Sequence, residues 1–352
     1  VTGVARATLF AATLELRAPV VAADRVHDVR TSLFLRYDAA DGATGWGECP
    51  TASAPGPDPV ADEVRAALAG ALAGAAGDGA GARAASSLVR AALDDLELRR
   101  LGVPLASRLG VRVRDVGFAG VVGEATPAKS AERARALVAL GASRVRVKVS
   151  PRQGTDAVRA VLEAVDVPVV VDANGSLEPD HPLVVALRAL PIAWLEQPFA
   201  PGAWRPLAAL ARTDGAPLGL DESVDSLAAI DAAATAGVAV VCVKPSRFGG
   251  ADAVAALARA PSRGVVAYVG GQFEAGLGRA QLGALSALGG HDGDVVAPST
   301  YLVHDPCGLP GPVDRRQPLH EGPGVGPPPA DEDLEPLAVC DAPAPSARGR
   351  PT

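Results

Sequence analysis

The chain has 352 residues, 48% hydrophobic and 21% charged, with a formal net charge of −7 and a pI near 5.3. That acidity argues against nucleic acid or an anionic membrane surface as the main partner, and no apolar run reaches the ~18 residues of a membrane span. The length exceeds what one small core serves, so one large barrel or two domains is expected.

Residues 1–50 read as strands and turns. In "SLFLRYDAADGATGWGECP" an alternating apolar run, an Asp41–Gly42 turn and a second strand predict a hairpin. The stretch leading into it, "VTGVARATLF", has no long apolar segment with a cleavage site, so no secretory signal is expected. Residues 58–102 have helical spacing; "SSLVRAALDDLELRRLG" predicts a helix opening on a serine cap and stopping at Gly102, with Pro104 beyond. Residues 1–114 are therefore read as an α+β domain.

From about Asp115 to residue 305 short β-branched strands alternate with Ala-rich helices. The strands are "RVRVKV", "VPVVVDA", "IAWLEQP", "PLGLDES", "VAVVCVKP", "GVVAYVGG" and "DVVAP". Continuous apolar strands between helices indicate a parallel sheet covered on both faces. Seven or eight such units in ~190 residues suit an α/β barrel better than an open sheet. Residues 306–352 hold 12 of the 31 prolines. The part from 306 to about 339 is expected to complete the first domain, and residues 340–352 to form a disordered tail. Cys49, Cys242, Cys307 and Cys340 show no CxxC spacing, so reduced thiols and a cytoplasmic location are expected. The five histidines show no metal-pair spacing.

A polar residue closes each of five successive strands: Lys148, Asp172, Glu196, Asp221 and Lys244, separated by 24, 24, 25 and 23 positions. That is about one βα unit each time, so all five fall on one rim, the face where barrels keep their sites. Each acid alone reads as a turn or helix cap; three at equal spacing read as a cluster. Their charges would repel strongly in a partly desolvated mouth. Oxygen-only donors point to a hard divalent ion, Mg²⁺ before Mn²⁺.

Only three of the 33 cationic residues are lysines, and two of these are Lys148 and Lys244. Arginine cannot accept a proton at working pH, whereas lysine can be tuned downward by burial and nearby cations. Four strands apart, the two would face each other across the mouth, a base on one side of a substrate and an acid or cation on the other. Lys129, in "PAKSAERARAL", reads as a solvated surface residue. A metal with lysine bases implies proton abstraction next to a carboxylate, through an enediolate that needs a divalent cation.

These residues resemble the enolase superfamily, muconate-cycloisomerase type. "GWGECPT", "ALDDLELRRLGVPLASRLG", "VRVKV", "VVVDANGS", "WLEQPFAPG", "LGLDES", "VCVKPSRFGG", "GGQFEAGLGRAQLGAL" and "EGPGVG" carry the likeness, which spans nearly the whole chain to about residue 339. Within the superfamily it is most similar to the o-succinylbenzoate synthases and N-succinylamino acid racemases. The resemblance implies a modified TIM-type (β/α)7β barrel with an α+β N-terminal capping domain. It implies Mg²⁺ ligands Asp172, Glu196 and Asp221, with Lys148 as base and Lys244 as the opposite cation or second acid/base. Asn174 and Glu222 would support the metal ligands, and Gly271 and Gln272 would lie in the seventh-strand loop at the substrate.

Three departures stand out. The first lysine of the family's KxK is Arg146, which can neutralise a substrate carboxylate but cannot titrate. Gln272 stands where an apolar residue is common, and no DxD follows the eighth strand, against the dipeptide epimerases. His304 and Asp305 read as loop residues. The implied activity is dehydration of 2-succinyl-6-hydroxy-2,4-cyclohexadiene-1-carboxylate in menaquinone biosynthesis, a carbon–oxygen lyase acting on a small carboxylate. N-succinylamino acid racemisation is the alternative, with muconate cycloisomerisation weaker. A non-catalytic barrel would lack one of the five rim residues, and none is missing. Specificity is expected from capping loops near residues 15–30 and 50–56, whose sequences carry no motif, and oligomeric state is not readable.

Overall fold

The structure is a computed structural model and describes residues 4–22, 25–51, 59–72, 80–248 and 251–341. The first strands, β1 (Val4–Ala22), β2 (Arg25–Ala39) and β3 (Thr44–Pro50), form an antiparallel meander, with the Asp41–Gly42 turn where expected and Gly42 at φ +82°. Strand alternation sends successive side chains to opposite faces. Leu9, Leu33 and Leu35 pack against the helices α1 (Pro59–Leu72) and α2 (Ala80–Leu101), while Phe10, Phe34 and Leu14 join the larger core of the barrel.

Glycine makes the close contact of β3 with α2 possible. A Cβ at Gly47 would come 2.4 Å from the Leu88 carbonyl, and one at Gly45 2.4 Å from that of Ala92. The helix α2 starts at Ala80, before the serines expected to cap it, because "AGARAA" is itself a run of good helix formers with few interruptions. Ser87 sits inside the helix, and its hydroxyl donates to the Pro245 carbonyl at 3.1 Å, tying cap to barrel.

The described residues of the stretch 15–30, expected as a loop, belong instead to the paired strands β1 and β2, with Val20 opposite His27. Its β-branched residues continue the ladder, and the barrel holds it in place. Val21 N donates to the Gly123 carbonyl at 2.7 Å and Arg17 N to that of Tyr301 at 2.8 Å. Of the other loop, 50–56, residues 52–56 lie outside the described residues.

After α3 (Leu105–Arg108) and β4 (Asp115–Val116) the barrel begins. Its strands are β5 (Ala119–Val122), β6 (Arg144–Lys148), β7 (Val169–Asp172), β8 (Trp194–Glu196), β9 (Leu218–Leu220), β10 (Val240–Val243) and β11 (Val266–Val269), paired in that order. Between them run α4 (Pro127–Leu140), α5 (Asp156–Ala164), α6 (Pro182–Arg188), α7 (Trp204–Ala211), α8 (Leu227–Thr235), and the pair α9 (Pro245–Phe248) and α10 (Ala251–Ser262). The helix α11 (Gly276–Ser286) follows β11.

Two barrel elements differ from the sequence reading. The strand β5, short and containing glycine, was not among those expected. "DVVAP" forms no ladder; single parallel bridges, Tyr268 to His291 and Phe118 to Gly293, close the ring in the eighth place. Glycines at 289, 290 and 293 leave too few β-formers there for a regular strand. The chain then returns through β12 (Gln317–Pro318), paired with β4, to β13 (Glu335–Asp341), which adds to β1 as the edge of the first sheet. The strand enters the stretch expected as tail by two residues; 342–352 lie outside the described residues. Among the described residues no helix is long and apolar enough to cross a membrane.

Candidate active site

Barrel register brings the five rim residues together. Lys148, Asp172 and Glu196 are successive partners across β6, β7 and β8, while Asp221 and Lys244 follow directly on β9 and β10. One oxygen from each of Asp172, Glu196 and Asp221 lies within 4.8 Å of the others, and all three side chains are buried. Strand order puts the three acid-bearing strands between the two lysine-bearing ones.

The turns after the strands are strained to hold this geometry. Asn174 (φ +46°) and Gln197 (φ +39°) occupy the left-handed region, which few non-glycine residues adopt. The Gln197 amide oxygen accepts from Asp221 N at 3.1 Å and Ser223 N at 3.0 Å, fixing the end of β9. Asn174 N donates to Asp172 Oδ1 at 2.9 Å, and its amide nitrogen to Asp172 Oδ2 at 3.2 Å and Glu222 Oε1 at 3.0 Å. Asn174 thus bridges Asp172 and Glu222.

Each acid has a cationic neighbour. Lys148 Nζ donates to Asp172 Oδ2 at 3.2 Å and to Asn174 Oδ1 at 2.9 Å. Lys244 Nζ donates to Asp221 Oδ2 at 2.6 Å, and Arg247 Nη1 to Asp221 Oδ1 at 2.6 Å. Burial pushes the Asp221 carboxyl up, but Arg247, Lys244 and Arg146 together hold it well below the usual range. The Lys244 ammonium moves opposite to expectation. Burial pushes it down, but contact with Asp221 wins, and its pKa stands above the ordinary lysine value.

Arg146 is bonded within the acid cluster. Its Nη1 donates to Glu196 Oε1 at 2.7 Å and to the Tyr268 hydroxyl at 2.8 Å, its Nη2 donates to Asp294 Oδ2, and its Nε lies 3.9 Å from Asp172. Charge-assisted hydrogen bonds of this kind make the guanidinium a counter-charge to the site's own carboxylates, and Arg146 also lines the cavity above them.

A cavity of about 430 Å³ opens above the acids, lined by Arg146, Lys148, Asn174, Glu222, Lys244 and Gln272 among others. The Gln272 side-chain oxygen accepts from Ser246 Oγ at 2.6 Å, and its carbonyl from Arg30 of β2 at 3.0 Å, so the capping sheet reaches the seventh-strand loop. Gly271 also lines the cavity; a Cβ there would meet Arg279 Nη1 at 2.5 Å. His304 is exposed and pairs with Asp333, while Asp305 accepts from Gly276 N at 2.9 Å at the start of α11. Neither lines the cavity.

Sequence reasoning missed Arg247, Asp294, Tyr268 and Trp194. Arg247 had a signal, one helical turn beyond Lys244 in "KPSRF". Tyr268 and Trp194 Nε1 both donate to Glu196, but their strands carry no spacing that would mark them.

The donor set fits a hard divalent cation. Burial raises the Glu196 carboxyl, Arg146 opposes this, and Asp172 and Asp221 add to it; the net direction is upward. Glu222 is raised likewise by burial, Asp221 and Asp172, and its Oε2 is a buried atom without a hydrogen-bond partner. Three clustered carboxylates, with no sulfur or imidazole among them, form the donor set that Mg²⁺ or Mn²⁺ prefers.

Residues 129–332 match the enolase C-terminal domain-like family. The chain is similar to an o-succinylbenzoate synthase of Geobacillus stearothermophilus, 29% identical over 318 residues that cover 83% of this chain and 84% of that one. It is also similar to an N-succinylamino acid racemase of Amycolatopsis sp, 32% identical over 359 residues, covering 93% of this chain and 95% of that one. Among solved structures, the muconate lactonizing enzyme from Pseudomonas fluorescens complexed with muconolactone aligns with a TM-score of 0.81. It is 22% identical and the alignment covers 94% of this chain and 98% of that one, a likeness of fold.

Proposed function

The chain belongs to the enolase superfamily, and on that premise we propose that it is an o-succinylbenzoate synthase, acting in menaquinone biosynthesis. The observation that carries the reading is the placement of three buried acids between two lysines on opposed strand ends of one cavity. Asp172, Glu196 and Asp221 would hold Mg²⁺, which when bound supplies positive charge to the substrate carboxylate and eases loss of the neighbouring proton.

Lys148, as the free amine, takes the proton beside the carboxylate of 2-succinyl-6-hydroxy-2,4-cyclohexadiene-1-carboxylate. The C–H electron pair moves into the carboxylate as an enediolate. Lys244, on the other face, stabilises that charge as an ammonium. When the pair returns, the C–O bond at C6 breaks, and Lys148 gives its proton to the departing hydroxyl, which leaves as water. The new aromatic ring supplies much of the driving force.

A second reading, N-succinylamino acid racemisation, is favoured by the presence of a lysine on both faces. There Lys148 and Lys244 would exchange roles, one removing the α-proton and the other returning one from the opposite side. The purified chain, assayed with each substrate in D₂O, separates the two. Dehydration without exchange supports the synthase; α-deuteration with loss of chirality and no dehydration rejects it.

A further inference from the structure

A second cavity, of about 510 Å³, opens on the opposite face of the barrel, at the N-terminal ends of the strands. Its walls are largely apolar, with Pro168, Pro217, Val240 and Val266, and it also holds Trp194, His291 and Arg144. The Arg144 side chain starts β6 and is only 5% exposed. Its guanidinium lies over the rings of Trp194 and Tyr268, 4.9 Å from each centroid. The His291 ring stacks on Trp194 at 5.6 Å, inclined by 21°.

What the guanidinium lacks is an anion. Among the described residues it makes no hydrogen bond or ion pair, and its Nε is buried without a partner. Asp292, the carboxylate at the cavity, is turned to Ser143, whose hydroxyl donates to it at 2.6 Å. A buried cation set over aromatic rings still has N–H groups to donate, and a carboxylate matches a guanidinium fork in two hydrogen bonds. Apolar walls beside it suit the body of the same molecule.

We propose that this cavity is a second ligand site, in which Arg144 binds a small organic monocarboxylate whose apolar body lies between Trp194 and the proline and valine walls. The site backs onto the acid cluster, because Trp194 Nε1 donates to Glu196 Oε2 at 2.9 Å. It is independent of which reaction the upper cavity catalyses.

The test is calorimetric titration of the full chain, freed of metal by chelation, with 4-bromobenzoate and with 4-bromobenzamide. Saturable binding of the acid is expected, weakened at least about tenfold in Arg144→Leu by loss of charge-assisted hydrogen bonds. It should persist in a Lys148→Met/Lys244→Met double variant, and the amide should not bind. No saturable binding would mean a cavity filled by water alone and overturn the proposal. So would binding unchanged in Arg144→Leu, binding lost in the double variant, or equal binding of the amide. Should Arg144→Leu fail to fold, bromine anomalous density in crystals of the unaltered chain decides: a peak beside Arg144 supports the site, and its absence there overturns it.

Discussion

Lys244 Nζ lies 2.6 Å from Asp221 Oδ2, on the opposite side of the acid cluster from Lys148. A lysine so held is a cation first, which is the role the dehydration reading assigns it. Lys244→Arg should therefore keep measurable synthase activity, whereas proton return from that face should be lost. Lys148→Arg should lower both reactions by roughly 10²–10⁴-fold, since no other amine stands on its face. Initial rates with each substrate check this; equal losses in the two variants during dehydration would contradict the assignment.

Chelation should abolish activity and Mg²⁺ should restore it. Because the ion binds the folded acids, it should also raise the melting temperature. The gain is about 2.7 kcal/mol at a hundredfold excess over Kd. Asp221→Asn should remove most of that gain. A melting curve insensitive to Mg²⁺ would count against a metal at these residues.

Arg146 touches Glu196, Tyr268 and Asp294 from a buried position. Arg146→Met leaves buried carboxylates uncompensated and should destabilise the chain by about 3–5 kcal/mol in urea unfolding. Arg146→Lys should cost less, yet not nothing, because an ammonium cannot reach the same partners in one plane. A loss within experimental error for the methionine variant would show that Arg146 does not hold the acids.

Glu48, at the junction of β3 and α11, accepts from Ser32 Oγ at 2.6 Å and from Ala275 N and Gly278 N at 2.7 Å each. Burial pushes its carboxyl up to about 7, against the lowering effect of these bonds. A carboxyl raised on folding binds more protons folded than unfolded, so stability falls as pH rises from about 4.5 to about 7 and levels off above. The upper figure is about 3 kcal/mol. Glu48→Gln should flatten that window in melting temperatures taken across it. A slope unchanged in the variant would place the titration elsewhere.

The amino-acid sequence by itself determined the barrel rim. Strands buried on both faces must be apolar, so a lone Lys148, Asp172, Glu196, Asp221 or Lys244 at each strand's end is conspicuous, and a constant βα length puts all five on one face. Helix ends such as Gly102, at φ +68°, were legible because they are local. Only the tertiary structure decided what each charge touches. Arg146 is bonded to Glu196, Lys244 is pushed upward by Asp221, and the described residues of the 15–30 stretch are paired strands held to the barrel. Those outcomes depend on distances between residues far apart in the chain, and Coulomb energy and hydrogen bonding act through space, where spacing along the sequence carries no record of them.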